Sequence, residues 1–118
     1  MKVIVTGSCG IVGKQIIRDL KKNANIKIIE LDIKLGHDLT NEKQVIKIFK
    51  KISADSLVNC FAINDHITNI QGKKNFLNYS LEKFSNTLNV NVTALFSVCR
   101  EFIRNNSRGR IINFSSIY

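Results

Sequence analysis

The chain has 118 residues, 44% of them hydrophobic and 23% charged, which predicts a single globular domain with enough apolar side chains for a core. No apolar run approaches the ~18 residues of a membrane span, and the run after Met1 is too short for a signal peptide, so we expect a cytoplasmic protein that contacts no membrane. The net charge of +9 comes from basic residues that are scattered along the chain without interleaved aromatic residues, which argues against nucleic-acid binding.

The first half of the chain alternates short apolar runs with amphipathic segments. Residues 3–5 predict a buried strand, and residues 11–22 predict a helix with one apolar face. Residues 26–33 predict a second strand, after which a short connection leads to Thr40, the expected N-cap of the next helix. The apolar stripe of that helix lies within residues 45–52.

The same alternation continues in the second half. Residues 56–61 predict a third strand, and the polar residues 64–78 predict a loop. Ser80 is the expected N-cap of a long helix that runs to about Asn105, and residues 110–114 predict a fourth strand. Strands that alternate with helices, without an internal repeat, indicate one α/β domain with a parallel sheet over the whole chain.

A glycine-rich turn joins the first predicted strand to the first predicted helix, with Gly7, Gly10 and Gly13 at intervals of three residues. A tight turn needs free backbone angles, a pyrophosphate needs backbone without a Cβ in its way, and the helix must pack closely on the strand. The helix N-terminus then offers unpaired N–H groups and a positive dipole to the phosphates. The loop from Thr6 to Gly13 therefore predicts a dinucleotide site.

Asp32 lies about 20 residues beyond this loop, near the end of the second predicted strand. A carboxylate at that point can accept hydrogen bonds from both hydroxyl groups of the adenosine ribose, and it would repel a 2′-phosphate. NAD is therefore the expected cofactor, in preference to NADP.

Three cysteines and two histidines are spread over the chain. Cys9, Cys60 and Cys99 form no CxxC pair, and neither His37 nor His66 adds a recognisable metal-ligand spacing. The sequence predicts no metal site, and reduced, mostly buried thiols suit a reducing cytosol. Cys9, although it lies inside the glycine loop, is interpreted as a small residue at a variable position.

Three motifs of the first 62 residues resemble those of the short-chain dehydrogenase/reductase family. Residues 6–13 resemble its TGxxxGxG loop, with the TGxxGxxG spacing that is commoner in the extended, sugar-nucleotide branch. Residues 38–40, Asp-Leu-Thr, resemble the step whose Asp meets the adenine edge. The LVNCFA segment at residues 57–62 resembles LVNNAG, with Asn59 at the first Asn, Cys and Phe departing from the pattern, and Ala62 in place of Gly.

Two further motifs resemble the catalytic part of that family. The NVNVTA segment at residues 89–94 resembles NVNxxG, and Asn91 matches the tetrad Asn that holds a water of the proton relay. The GRIINFSS segment at residues 109–116 resembles GxIINxSS, and Ser116 matches the Ser whose hydroxyl binds the substrate oxygen. The resemblance implies a Rossmann-like, doubly wound parallel sheet and hydride transfer between nicotinamide and the carbonyl or alcohol group of a small-molecule substrate.

The expected site residues fall into two groups. The resemblance implies that Asn91 and Ser116 are catalytic. The residues expected to bind the cofactor come from the glycine loop, the strand ends and the adenine edge: Gly7, Ser8, Cys9, Gly10, Ile11, Val12, Gly13, Asp32, Asp38, Leu39, Asn59 and Ala62.

Two departures from the family pattern change what this chain is expected to do. The family has a helix between its counterparts of Asp32 and Asp38, which five residues cannot hold, so we expect a trimmed sheet edge. The family's Tyr-xxx-Lys pair lies well beyond the Ser116 position, and we expect a fragment that is incomplete on the C-terminal side of its sheet and inactive alone. Residues 79–83 also spell YxxxK, but they precede the long helix and are interpreted as a chance match.

Other interpretations stay open at this point. A non-catalytic NAD-binding module, such as a sensor or pseudoenzyme, would keep the glycine loop without the reaction. A sugar-nucleotide epimerase or dehydratase of the extended branch would fit the glycine spacing, and a nucleic-acid binder would account for the positive charge. In the family the long helix contributes to a dimer interface, so a full-length protein could form homo-oligomers.

Overall fold

The computed structural model describes residues 1–64 and 79–115. Four parallel strands form one sheet in the order β2-β1-β3-β4. The strands are β1 at Lys2–Thr6, β2 at Lys27–Leu31, β3 at Ser56–Asn59 and β4 at Arg110–Asn113. The helices between them are α1 at Ile11–Leu20, α2 at Glu42–Phe49, α3 at Leu81–Leu88 and α4 at Leu95–Asn105, with a π-helical segment at Asn89–Ala94 between the last two.

The sheet lies between two layers of helix and therefore has two apolar faces. Val5 of β1 packs with Ile17 of α1 on one face. Ile4, its neighbour in the strand, packs on the other face with Phe49 of α2 and Phe102 of α4, whose rings meet edge to face. Because successive strand residues point to opposite faces and both faces are covered, the strands are continuously apolar. This arrangement confirms the predicted α/β fold with a Rossmann-like, doubly wound parallel sheet.

The two edges of the described sheet are β2 and β4. A single 3-10 turn at Ile33–Leu35 takes the place of a helix after β2, which confirms that one edge is trimmed. At the other edge β4 pairs with β3 alone, and Ile112 and Phe114 are 52% and 54% exposed. The sheet is thus incomplete on the side of β4, as the sequence predicts.

The N-cap predicted for α2 is wrong. Asn41, and not Thr40, caps this helix, because the Asn41 side-chain oxygen accepts a hydrogen bond from the Gln44 N–H at 3.2 Å. Thr40 instead donates from its hydroxyl to the Asp38 carboxylate at 2.6 Å, and its N–H donates to the same oxygen at 2.9 Å. This local turn around the Asp38 side chain withdraws Thr40 from the helix start.

The long helix of the second half is not α-helical throughout. Ser80 caps α3 as predicted, with its hydroxyl accepting from the Lys83 N–H at 3.1 Å, and α4 ends at Asn105. Residues Asn89–Ala94 between them form the π-helical segment. An apolar spacing of three and four residues fits either helix type, although the β-branched residues of this segment lower its α-helical propensity. None of the described helices is both long and apolar enough to cross a membrane.

The carboxylate of Glu101 on α4 is buried, with its side chain 1% exposed. It accepts hydrogen bonds from Arg100 Nε at 2.9 Å and from Arg104 Nη1 at 3.0 Å. Arg100 also reaches Glu42 of α2, with 2.6 Å between Nη2 and the carboxylate oxygen. The buried acid therefore orients an arginine that ties α4 to α2.

Replacing Glu101 by glutamine keeps the side-chain volume but removes the charge that two guanidinium groups share. We expect the free energy of unfolding, measured by urea denaturation, to fall by about 1.5–3 kcal/mol, as for other charge-assisted hydrogen bonds. Glu42→Gln is the matched control, since Glu42 is 62% exposed and its ion pair is expected to contribute less than about 1 kcal/mol. Equal losses in the two variants would contradict a special contribution of the buried carboxylate.

Candidate functional site

A cavity of about 350 Å³ opens at the carboxyl ends of the strands. In open α/β sheets ligands bind in this position, outside the strand ends. The walls come from the glycine loop, the turn after β2, the segment after β3 and one residue of the long helix: Gly7, Cys9, Gly10, Asp32, Ile33, Lys34, His37, Asp38, Leu39, Thr40, Cys60, Phe61, Ala62, Ile63 and Val90.

The glycine loop packs against the segment after β3, and this contact leaves no space for a Cβ at Gly7. Gly7 has φ +65°, and a Cβ at this position would lie 2.6 Å from the backbone nitrogen of Phe61 and 2.7 Å from the carbonyl carbon of Cys60. A Cβ at Gly13 would overlap the carbonyl oxygen of Gly7, which also accepts a hydrogen bond from the Gly10 N–H at 3.0 Å. Backbone packing therefore leaves no room for a Cβ at Gly7 and Gly13, whereas a Cβ at Gly10 would lie 3.2 Å from the Gly7 carbonyl oxygen.

The start of α1 offers polar groups to a ligand. Gly10 is the N-cap and supplies no side-chain bond, so the first N–H groups of the helix are not capped by it. Ser8 is 1% exposed, and its Oγ has no hydrogen-bond partner among the described residues. Ile11 and Val12 are 92% and 43% exposed, and their side chains are not part of the cavity wall. The glycine loop, the uncapped N–H groups at the start of α1 and the unpaired Ser8 hydroxyl together fit the pyrophosphate of a dinucleotide.

Asp32 connects the glycine loop to the turn after β2. Its carboxylate, 7% exposed as a residue, accepts from the Cys9 N–H through Oδ2 and from the Lys34 N–H through Oδ1, each at 2.9 Å. The Asp32 N–H points to Nδ1 of His37 at 3.4 Å. Because each carboxylate oxygen has two lone pairs, the acid keeps capacity for a ligand hydroxyl on the cavity side.

The adenine-edge residues of the sequence prediction also line the cavity. Asp38 receives two bonds from Thr40, which fix its carboxylate, while its own N–H donates to Gln44 Oε1 at 3.2 Å. Leu39 is 6% exposed and belongs to the core on the α2 and α4 side. Leu39 thus anchors this wall in the core, and Asp38 makes its edge polar.

Asn59 does not line the cavity. It accepts from the Thr6 hydroxyl at 2.8 Å and donates to the Asn113 side-chain oxygen at 2.8 Å. The three residues lie in register at the ends of β1, β3 and β4. Asn59, 3% exposed, therefore joins the strand ends below the site, and Ala62 of the same motif reaches the wall.

The side-chain oxygen and nitrogen of Asn91 both form hydrogen bonds with the backbone of Ile63. Its Oδ1 accepts from the Ile63 N–H at 2.8 Å, and its Nδ2 donates to the Ile63 carbonyl at 2.9 Å. Asn91 lies in the π-helical segment, next to Val90, and it fixes the wall segment that carries Ile63. A direct water contact of this side chain stays a prediction, and Ser116 lies outside the described residues.

Sequence reasoning did not identify several wall residues. Lys34 and His37 lie in the connection between Asp32 and Asp38. Because both of these acids were predicted to line the site, the position of Lys34 and His37 between them could have identified them as wall residues. Ile63 and Val90 line one cavity only because the π-helical segment packs on the segment after β3, so no local pattern marks them. Among the described residues there is no group of three or more His, Cys, Asp or Glu side chains that could hold a metal ion.

Comparisons with known proteins bear on the family and on the fold. A sequence model of the short chain dehydrogenase family matches residues 1–118, whereas no curated protein matches the chain significantly. A small-chain dehydrogenase in complex with NADPH superposes with a TM-score of 0.82 at 15% identity, over 99% of this chain and 51% of that one. A short chain dehydrogenase from Leptospira borgpetersenii with bound NAD+ gives a TM-score of 0.73 at 24% identity, over 99% and 52%.

A dTDP-4-dehydrorhamnose reductase from Clostridium acetobutylicum is also similar, with a TM-score of 0.71 at 22% identity over 94% of this chain and 34% of that one. The chain spans between 34% and 52% of the lengths of these structures. Identities this low support the fold, while the family match extends over every residue of the chain. The chain belongs to the short chain dehydrogenase family.

Proposed function

We propose that the cavity binds a nicotinamide adenine dinucleotide and that the protein is an oxidoreductase, which transfers a hydride between nicotinamide and a carbonyl or alcohol group of a small molecule. One observation carries this proposal: the tightly packed glycine loop and the buried carboxylate of Asp32 are hydrogen-bonded to each other and line the same cavity. The family match supports the redox chemistry, and the nicotinamide supplies the hydride when bound.

The cofactor proposed for this cavity is NAD. Asp32 stands at the wall with its carboxylate oriented by the Cys9 and Lys34 N–H groups. A fixed carboxylate suits the two ribose hydroxyls and disfavours a 2′-phosphate by charge repulsion. The similar structures include one with NADPH and one with NAD+, so they support a nicotinamide cofactor without deciding between the two.

The chain's own residues have positioning and proton-handling roles in the proposed reaction. The family motif assigns Ser116 to the substrate oxygen, which a hydroxyl can polarise by donating a hydrogen bond. Asn91 supports the wall at Ile63 and, by resemblance, the proton relay. The YxxxK match at residues 79–83 is not proposed to take part: Tyr79 lies 3.3 Å from the Thr87 hydroxyl and outside the cavity wall.

The 118-residue polypeptide is expected to bind NADH but not to oxidise it with carbonyl substrates. Of the four family residues it carries matches to Asn and Ser, and without a phenol as general acid the rate falls by roughly 10²–10⁴ or more. Calorimetric titration with NADH measures the binding, and NADH absorbance with a panel of aldehydes and ketones measures turnover. Absence of binding to a folded sample would contradict the cofactor site, and robust turnover would contradict the expected inactivity.

A non-catalytic NAD-binding module is the second candidate function. This candidate predicts that the folded protein binds NADH and reduces no carbonyl substrate. The extended, sugar-nucleotide branch is supported by the glycine spacing and by the similarity to a dTDP-4-dehydrorhamnose reductase. A substrate panel that includes nucleotide sugars separates that branch from a single-domain dehydrogenase.

A further inference from the structure

Two residues of the segment after β3, Cys60 and Phe61, depart from the family motif, which has Asn and Ala at these positions. Their side chains lie on opposite faces of the sheet. Cys60 packs against the apolar cluster that contains Ile17 of α1, and Phe61, half-buried, packs against the larger cluster that contains Leu39. The alternation of the strand thus continues beyond its last residue and anchors the segment on both faces.

The peptide between these two residues is the surface on which the glycine loop rests. The position of a Cβ on Gly7 lies 2.6 Å from the backbone nitrogen of Phe61 and 2.7 Å from its Cα, so the two backbones are in direct contact. The Gly7 carbonyl oxygen in turn accepts the Gly10 N–H at 3.0 Å. A displacement of the backbone at Phe61 would therefore reach Gly7 and the start of α1.

The ring of Phe61 holds the middle of this segment. On one side of it the Cys60 N–H donates to the Thr6 carbonyl oxygen at 3.1 Å, and on the other the side chain of Asn91 binds the backbone of Ile63. Within the part of the chain that the structure describes, Phe61 itself makes no hydrogen bond. Its attachment between these two fixed points is therefore the packing of its side chain in the core.

On the basis of the proposed dinucleotide site, we propose that Phe61 is a positioning residue for the diphosphate of the cofactor. Its ring fixes the peptide on which Gly7 rests, and through Gly7 it fixes the N–H groups of the loop and of the helix start. Since a binding site must hold its groups within about 0.5 Å of the productive geometry, a small shift of this peptide is enough to weaken binding. The ring acts through the loop and requires no contact with the ligand.

The test replaces Phe61 by Leu, Val and Ala, in order of decreasing size. Calorimetric titration gives the Kd of NADH and of ADP, which contain the diphosphate, and NMR titration gives that of adenosine, which lacks it. We expect NADH and ADP to bind more weakly along the series, by about tenfold or more in Phe61→Ala, as for the loss of one charge-assisted hydrogen bond. Phe61→Leu, which still reaches the core, should retain most of the affinity.

The affinity for adenosine should stay constant in all three variants, because its proposed partners, Asp32 and Asp38, belong to the connection after β2. If Phe61→Ala does not fold, Phe61→Val is measured in its place. Ile48→Ala is the matched control: Ile48 packs against the same cluster from α2 but lies outside the cavity wall. This variant should lose stability in urea and keep the wild-type Kd for NADH.

Three results would overturn the proposal. The first is an unchanged affinity for NADH in every folded variant of Phe61, and the second is an equal loss for NADH in Ile48→Ala. The third is a parallel loss for adenosine, since the ring would then contact the ligand or support the whole site. If the folded wild-type protein binds none of the three probes, the proposed function itself fails, and this outcome is separate from normal wild-type binding that Phe61 does not affect.

Discussion

Replacing Gly7 by alanine is expected to remove dinucleotide binding and to lower the free energy of unfolding by about 2–5 kcal/mol. A left-handed backbone, here φ +65°, costs a residue with a Cβ about 1–2 kcal/mol, and overpacking adds about 1–3 kcal/mol. The atoms that the new Cβ would meet are backbone atoms of Cys60 and Phe61, at 2.6–2.7 Å, and cannot move aside by a rotamer change. Relief of the contact must separate the glycine loop from the segment after β3 and so alter the cavity.

Gly36→Ala is the matched control for this prediction. Gly36 has φ +84°, but its Cβ position is in open space, so only the backbone strain of about 1–2 kcal/mol is expected. Urea denaturation gives the stabilities, and NADH titration gives the affinities. If Gly36→Ala loses as much stability as Gly7→Ala, or if Gly7→Ala still binds NADH normally, the site does not require close packing of the loop on the segment after β3.

The features that could be predicted from the sequence are those that depend on local chemistry. The interval between Gly7, Gly10 and Gly13 predicts a tight backbone turn, and the structure has that turn, with no space for a Cβ at Gly7 or Gly13. Alternating apolar runs and amphipathic stripes encode a sheet covered on both faces. Five residues between Asp32 and Asp38 can hold a single 3-10 turn, so the trimmed sheet edge followed from this length together with the family resemblance.

The features that could not be predicted depend on competition between neighbours or on contacts distant in sequence. Thr40 and Asn41 are both residue types that favour the N-cap. Asn41 caps the helix because the Thr40 hydroxyl is hydrogen-bonded to Asp38. The π-helical segment brings Asn91 to the backbone of Ile63, 28 residues earlier, and no apolar period reveals such a pair. Asn59 was assigned to the cofactor by its motif, whereas its polar groups join three strand ends.

Asp32→Asn is expected to change which dinucleotide the cavity prefers. The variant retains the side chain's size, but its single oxygen can replace only one of the two acceptors now used by the Cys9 and Lys34 N–H groups. Loss of a charge-assisted bond to the ribose, worth about 1.5–3 kcal/mol, corresponds to a roughly 10–100-fold weaker affinity for NAD+. The affinity for NADP+ should fall less or increase, because the repulsion of the 2′-phosphate is removed with the charge.

The ratio of the dissociation constants for NAD+ and NADP+ is measured by titration. It separates an effect of Asp32 on the choice of dinucleotide from an effect on the structure of the glycine loop. Asp38→Asn is the control: it neutralises a second carboxylate on the same wall, but one whose bonds go to Thr40, so both affinities should change together and the ratio should stay constant. Should Asp32→Asn also lower both affinities by the same factor, the carboxylate acts only through the Cys9 N–H, as a clamp on the glycine loop. The preference for NAD that is proposed from the charge of Asp32 would then be contradicted.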